Sequence, residues 1–151
     1  MQQFEATLEW QRGDQDFLGQ RYSRAHRWQF DGGLTVPASS SPLSVPLPMS
    51  DAAALDPEEA LVAATSSCHM LFFLSLAAKG GFVIDSYRDH AVGTMEKNAE
   101  GRVAMTRIAL RPAIAFAGTA PTAAELAALH HAAHEQCYIA NSIKADVVVE
   151  A

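Results

Sequence analysis

The chain has little cysteine, little positive charge and no long apolar run. Its only cysteines are Cys68 and Cys137, and its 11 lysines and arginines are outnumbered by 17 aspartates and glutamates, for a net charge of −6. Nucleic-acid surfaces need clustered lysine and arginine, so we expect no nucleic-acid partner. No stretch of about 18 apolar residues occurs, and we therefore expect no membrane span and no membrane partner.

A secretory leader is not visible either. The N-terminal segment MQQFEATLEWQRGDQDF has no basic region followed by an apolar stretch, so we expect a cytoplasmic protein. In the reducing cytoplasm a lasting structural disulfide is disfavoured, whereas a transient catalytic disulfide is compatible with that compartment.

Apolar residues are plentiful: 49% of the 151 residues are hydrophobic. A chain of this length buries roughly 70% of the surface that its unfolded form exposes, enough for a core without disulfides or metals. We therefore expect one globular domain over residues 1–151.

Hydrophobic periodicity predicts an α+β fold. The predicted elements are strands in 4–10 and 22–31, a proline-rich loop with room for one short strand in 31–55, a helix from 56 to about 79, strands in 82–96 and 102–116 around a turn at 97–101, a helix from 122 through 137 and as far as 141, and a strand in 145–150. The two long strands read as a hairpin. Strands, helix, hairpin, helix and strand follow one another without βαβ alternation, which is typical of antiparallel sheets in the α+β class.

Both helices begin with capping sequences. Asp56-Pro57-Glu58-Glu59 places Asp at the N-cap, Pro at the first helical position and Glu at the third, and Thr122 is followed three residues later by Glu125. The first helix is apolar almost all round, so we expect it to be central and buried.

Each cysteine lies on an apolar stripe of its helix. The stripes are Leu61, Ala64, Thr65, Cys68, Leu71 and Phe72 on the first helix, and Leu126, Leu129, His130, Ala133 and Cys137 on the second. Both thiols are therefore predicted to face the interior. They are either two inert core thiols or a nucleophile and its disulfide partner. The polar residues around Cys68, which are Ser66, Ser67 and His69, favour the second interpretation.

One arginine is predicted on an inward face. In the alternating segment 22–31, Arg24 shares a face with aromatic residues, whereas Arg27 points the other way. A buried cation must find an anion, and Glu58 can supply that carboxylate. A guanidinium near Cys68 would favour the thiolate, which nucleophilic chemistry requires.

The two cysteine segments resemble one known family. The segment DPEEALVAATSSC, residues 56–68, looks like the Asn-Pro-Glu…Ala-Ala…Cys segment of the osmotically inducible protein C and organic hydroperoxide resistance family. The segment CYIAN, residues 137–141, is similar to that family's Cys-Pro-x-Ser-Asn, with Tyr138 in place of the proline. The cysteine separation and the element order also fit, so the resemblance spans nearly the whole chain.

This resemblance implies a thiol-dependent peroxidase for organic hydroperoxides, folded as an intertwined homodimer with its sites at the interface. By the same resemblance Cys68 is the peroxidatic thiolate, Cys137 is the resolving thiol, and Glu58 orients an arginine. Arg24 matches that arginine by position, with Arg27 as the alternative. No cofactor is implied. The reductant is an external dithiol, which in the family is often a lipoylated protein.

Helix geometry constrains this assignment. Glu58 precedes Cys68 by ten residues, or about 15 Å along a straight helix. Either the first turn bends away, or a partner chain supplies Glu58 and Arg24 to each site. We expect the second arrangement.

Zinc binding is one alternative. His130, His134 and Cys137 recur at i, i+4 and i+7, a spacing that could place three zinc ligands on one helix face, with Cys68 or His69 as the fourth.

Two further alternatives stay open. A Cys-His-Asn hydrolase could combine Cys68, a histidine and Asn141, although no local sequence resembles a cysteine protease. The other is a dimeric, stress-associated ligand-binding protein of the same fold, in which the thiols would catalyse no reaction.

Overall fold

The computed structural model describes residues 1–150 and has an α+β fold, as predicted. These residues form, in order, β1 (Thr7–Glu9), β2 (His26–Gln29), β3 (Thr35–Ala38), α1 (Pro57–Lys79), β4 (Val83–Asp89), β5 (Val92–Lys97), β6 (Val103–Leu110), β7 (Pro112–Ala117), α2 (Ala123–Gln136), a short 3-10 helix (Ala140–Ser142) and β8 (Asp146–Val149). The chain divides into two compact units, one of Met1–Ala60 and one from Leu61 onward. The single domain over residues 1–151 therefore stays a prediction.

The first unit contains a three-stranded antiparallel sheet in the order β1-β2-β3. Leu8 lies opposite Trp28, and Trp28 lies opposite Val36. The strands are shorter than the alternating sequence predicts, since β1 covers three residues and β2 four. The predicted short strand in the proline-rich loop is β3.

The predicted hairpin is present but interrupted. Instead of two long strands, β4 pairs with β7 and β5 pairs with β6, and the breaks fall at residues 90–91 and at Arg111. At this break the Arg111 N–H donates to Asp89 Oδ1 at 2.6 Å. The prediction of two continuous strands was therefore wrong. The contact between Asp89 and Arg111 joins residues far apart in sequence, so no local pattern reveals the break. The last strand, β8, pairs with β6 in parallel and adds one parallel pair to otherwise antiparallel sheets.

The ends of α1 follow the predicted signals. Asp56 Oδ1 accepts the Glu59 N–H at 2.8 Å, and Glu59 Oε1 accepts the Asp56 N–H at 3.3 Å, which is a reciprocal capping box. At the other end Gly81 adopts φ +83°, a left-handed conformation that glycine takes without strain. The helix is continuous between these ends, so no break separates Glu58 from Cys68.

The buried face of α1 is not the one that the sequence predicts. Its buried residues are Thr65, His69, Phe73 and Ala77, a line at i, i+4 spacing. Cys68 lies beside this line and is half-buried, whereas Leu71 from the predicted stripe is 60% exposed.

A helix buried on all sides was also a wrong prediction for the single chain. Only 22% of the most apolar 18-residue window of α1 is buried. By length and composition alone α1 could cross a membrane, but core helices of soluble proteins meet the same two conditions. The middle of α1 carries Ser66 and His69, both of which make polar side-chain contacts, and a lipid-facing helix avoids such groups.

Two apolar clusters form the core of the second unit. One is centred on Phe73, Ala77 and Ala133, and so joins α1 to α2. The other is centred on Ile108, Leu110 and Val147, and so lies on β6 and β8. The first cluster positions the two helices that carry the cysteines.

Candidate functional site

The two cysteines are brought together. Cys68 lies on α1, and Cys137 is the C-cap residue of α2 and has no solvent exposure. Burial raises the pKa of the Cys137 thiol, and the neighbouring Cys68 thiol raises it further. The pair therefore combines a half-buried thiol with a buried thiol that stays protonated near neutral pH.

The chain after Cys137 is held in place by three local contacts. The Ala140 N–H donates to Cys137 Sγ at 3.4 Å, the Asn141 side-chain amide donates to Glu135 O at 3.0 Å, and Ser142 Oγ donates to Tyr138 O at 2.6 Å. The Tyr138 ring, which stands in place of the proline, packs edge-on against Phe72 with centroids 4.9 Å apart. These contacts fix the backbone that carries the Cys137 thiol.

A pair of histidines, one buried and one half-buried, joins the two helices that carry the cysteines. His69 is 1% exposed, and its Nε2 lies 3.0 Å from His130 Nδ1. The His130 ring also stacks on Phe73 with centroids 4.4 Å apart. Burial lowers the pKa of His69 to about 4, with further lowering by His130 and His134, and burial lowers the pKa of His130 as well. Both imidazoles are therefore neutral near pH 7.

The sequence suggested His69 and His130 together only as possible zinc ligands, and the cross-helix contact shows that they bond each other. A usable signal existed, since Thr65, His69, Phe73 and Ala77 recur every four residues along α1.

Asp89 links α1 to the interrupted hairpin. Ser66 Oγ donates to Asp89 Oδ2, and Oδ1 of the same carboxylate accepts the Arg111 N–H. The Asp89 charge opposes the lowering of the pKa of His69. Nearby, Tyr87 has a buried hydroxyl without a hydrogen-bond partner within residues 1–150, and burial raises its pKa.

Arg24 and Glu58 both lie in the first unit, but they do not pair there. The Arg24 guanidinium lies over the Tyr22 ring, 3.6 Å from its centroid, and it donates to Gln20 Oε1 at 3.1 Å. Glu58 Oε2 is buried and has no partner within residues 1–150. The expected ion pair is therefore absent from Met1–Ala60, because a cation–π contact and nearby oxygens hold the guanidinium.

Arg27 is placed as its alternation predicts. It is exposed and bonds Glu9 Oε2 at 2.8 Å on the surface of the sheet. Arg24, in contrast, is half-buried. Arg24 lines a cavity of the first unit.

That cavity has a volume of about 580 Å³. Its aromatic wall is Trp10, Phe17 and Tyr22, whose rings contact one another at centroid distances of 4.9–5.9 Å. Arg24 and Ser40 also line the cavity, and Ser40 Oγ is buried without a partner within the described residues. The cavity thus offers an apolar wall beside hydrogen-bond donors, a combination typical of small-molecule sites.

The structure gives no support to the zinc and hydrolase alternatives. No three histidine, cysteine, aspartate or glutamate residues among 1–150 are arranged to hold a metal ion. The Cys137 thiol lies against Cys68, and His130 Nδ1 is engaged by His69. The Asn141 amide that a hydrolase would use donates to Glu135 O instead.

Comparison with known proteins identifies the family. The family profile described as OsmC-like protein matches residues 50–151. The chain belongs to the OsmC-like protein family. A comparison with curated proteins found no match.

Solved structures agree with this assignment. An OsmC-like protein of unknown function from Vibrio cholerae is 51% identical to this OsmC-like chain, with a TM-score of 0.96 and coverage of 99% of each chain. An organic hydroperoxide resistance protein from Elizabethkingia anophelis is 16% identical, with a TM-score of 0.72 and coverage of 99% and 96%. One from Bacillus subtilis is 18% identical, with a TM-score of 0.66 and coverage of 98% and 96%. The last two share the fold.

Proposed function

We propose that this OsmC-like protein is a thiol-dependent peroxidase that reduces organic hydroperoxides to alcohols. The observation that carries the proposal is the Cys68–Cys137 pair, in which a half-buried thiol lies against a fully buried one. A pair of facing thiols has no use in a pure binding protein. Two solved structures with the same fold are named organic hydroperoxide resistance proteins, which supports this reaction class.

In the first step the Cys68 thiolate attacks one oxygen of the hydroperoxide. An S–O bond forms and the O–O bond breaks, and the departing alkoxide takes a proton to become the alcohol. Cys68 is oxidised to a sulfenic acid and the hydroperoxide is reduced. Cys68 suits this role because it is the more accessible of the two thiols.

In the second step the Cys137 thiol attacks the Cys68 sulfenic acid. The S–S bond forms, the S–OH bond breaks, and the hydroxyl leaves as water with the thiol proton. The neighbouring positions of the thiols favour this step, since a disulfide needs Cα atoms within about 7 Å. An external dithiol then reduces the disulfide by exchange and is itself oxidised to a disulfide. A lipoylated protein is one dithiol of this class.

Arg24 and Glu58 complete the proposal. Arg24 stabilises the thiolate and the departing oxygen, and Glu58 orients Arg24. The cavity with Trp10, Phe17 and Tyr22 supports an apolar substrate, because its aromatic wall matches an alkyl or aryl group better than hydrogen peroxide. The pairing is supported by Glu58 Oε2, which is buried and has no hydrogen-bond partner within the described residues, since a buried carboxylate needs a charged or hydrogen-bonding partner.

The working form in this proposal is a cytoplasmic homodimer. The support is the poorly buried apolar surface of α1, where Leu71 is 60% exposed. Large exposed apolar surfaces mark interaction sites, and a second copy of the chain would cover this one.

A turnover assay tests the peroxidase proposal. With dithiothreitol as reductant, the protein should consume cumene hydroperoxide faster than hydrogen peroxide, and Cys68→Ser should abolish consumption. Ser67→Ala is the matched control, since Ser67 is the exposed neighbour of Cys68 and should keep wild-type turnover. Turnover that survives in Cys68→Ser would contradict the proposal, and binding without turnover would favour the ligand-binding alternative.

A mixing experiment tests the shared site. An Arg24→Ala chain and a Cys68→Ser chain are each expected to be inactive. Unfolding and refolding them together should restore part of the activity if each site takes Arg24 from one chain and Cys68 from the other. A mixture as inactive as its components would contradict the sharing of sites.

A further inference from the structure

We propose that the His69–His130 hydrogen bond, here called the histidine bridge, positions α1 and α2 so that Cys68 and Cys137 can join in a disulfide. The inference rests on the proposed function and adds to it two positioning residues that do not touch the substrate. It starts from the hydrogen-bonded imidazoles of His69 and His130, which the peroxidase steps leave unused.

The bridge and the thiol pair connect the same two helices. His69 directly follows Cys68 on α1, and His130 precedes Cys137 by seven residues on α2, or about 10 Å along the helix axis. Within residues 1–150, the His69–His130 contact is the side-chain hydrogen bond that joins α1 to α2. Two contacts separated along α2 fix its orientation as well as its position. Without the bridge, α2 can pivot and carry the Cys137 thiol away from Cys68.

The polar surroundings indicate which imidazole donates. His69 Nδ1 is buried and has no partner within residues 1–150. A hydrogen on His69 Nδ1 would be a buried N–H without an acceptor, and such groups are rare in folded proteins, so we assign the hydrogen to His69 Nε2, with His130 Nδ1 as the acceptor. The ionisable groups near the bridge are Asp89 on β4 and His134 on α2. Phe73 packs on His130 and has no solvent exposure, whereas His130 itself is half-buried.

Loss of the bridge should affect the second step and spare the first. The Cys68 thiolate would still open the hydroperoxide to give the sulfenic acid and the alcohol. Slower closure of the disulfide leaves the sulfenic acid exposed to a second hydroperoxide, which oxidises it to the sulfinic acid and yields a second alcohol.

Amide substitutions of different length test the bridge. The terminal amide of Gln lies near the position of His Nε2, and that of Asn lies near the position of His Nδ1. His69 uses Nε2 and His130 uses Nδ1. His69→Gln and His130→Asn should therefore keep the bond, whereas His69→Asn and His130→Gln should break it. A role in filling space alone would instead favour the larger Gln at both positions.

The readout separates the two chemical steps. Reduced protein receives one equivalent of cumene hydroperoxide and is quenched with dimedone at increasing times, and intact mass gives the fractions of sulfenic-acid adduct and disulfide. In the two bond-breaking variants we expect disulfide formation to slow about tenfold, as for loss of one buried hydrogen bond, with more dimedone adduct and an unchanged first step. The two bond-keeping variants should stay within about threefold of wild type. His131→Asn and His131→Gln are controls, because His131 is exposed on the same helix.

Each other outcome overturns the inference. Equal rates in all four variants, or rates that follow side-chain size at both positions, would show that the bridge has no positioning role. A wild-type protein that forms the sulfenic acid but no disulfide would overturn the inference and leave the first peroxidase step intact. A wild-type protein that forms neither product would overturn the proposed function itself. If His69→Asn fails to fold, the His130→Asn and His130→Gln pair makes the same comparison.

Discussion

At the scale of the residue, burial distinguishes the two thiols. Cys137 has no exposure and its pKa is raised, chiefly by burial, whereas Cys68 is half-buried. A thiol reacts with alkylating reagents as the thiolate. This difference in exposure supports the roles that the proposed mechanism gives to the two cysteines.

Limited alkylation checks this division. At pH 7, a substoichiometric amount of iodoacetamide should label Cys68 well before Cys137, because the raised pKa of Cys137 keeps its thiolate fraction below that of a free cysteine. Labelling of Cys137 should increase only in alkaline solution. Peptide mass spectrometry measures both sites, and equal labelling at pH 7 would contradict the assignment of roles.

The sequence indicated the exposure of the two arginines better than their contacts. The exposure of Arg27 follows from alternation in β2, whereas Arg24 lies before that strand. The contacts of Arg24 with Tyr22 and Gln20 did not follow from that alternation. These two residues lie before β2, where the backbone follows no strand periodicity. The zinc alternative grouped His69 with His130, but their direct hydrogen bond did not follow from the sequence, since it joins residues 61 positions apart.

At the scale of the element, the buried imidazoles connect stability to pH. The pKa of His69 falls from 6.5 to about 4 on folding, so the unfolded chain binds more protons than the folded chain between these values. The contribution of His69 to stability is thus complete above pH 6.5 and is lost as the pH falls to about 4. His130 acts in the same direction.

Urea unfolding between pH 7 and pH 4.5 tests this linkage. The free energy of unfolding should decrease as the pH falls through this range. Protonation of His69 alone should lower it by about 3 kcal/mol over the full titration of this residue. His69→Gln should remove that part of the decrease, and His131→Gln should leave it in place because His131 is exposed. The same pH slope in wild type and His69→Gln would contradict a buried, neutral His69.

Element ends were predictable where local chemistry sets them, as in the capping box of Asp56 and Glu59 and the N-cap of Thr122. Strand breaks were not. The sequence in 82–116 favours extended chain throughout, and the interruption coincides with the contact of Asp89 with Arg111. The buried face of α1 was also hard to assign, because apolar residues surround nearly the whole helix.

At the scale of the whole molecule, the low burial of α1 supports the proposed homodimer. The α+β fold class and the order of the elements could be predicted from the sequence. The parallel pairing of β8 with β6 could not, because it depends on contacts that no local sequence pattern encodes. The low burial of α1 in one chain also depends on such long-range contacts and could not be predicted from a local pattern.

Sedimentation equilibrium tests the expected homodimer. We predict a particle of twice the 16.2 kDa chain mass at micromolar concentration. Leu71→Asp places a charge on the exposed apolar face of α1 and should shift the protein towards monomer, whereas Glu125→Gln, at an exposed position of α2, should not. A wild-type monomer at these concentrations would contradict the dimer and the sharing of sites.

The central claim is that Cys68 and Cys137 form a peroxidatic and resolving pair. Its most direct test is the intact mass of freshly reduced protein, freed of reductant, before and after one equivalent of cumene hydroperoxide. We predict the loss of two hydrogen atoms through a Cys68–Cys137 disulfide, and no such loss in Cys68→Ser or Cys137→Ser. An unchanged wild-type mass would show that the thiols are inert and would contradict the account.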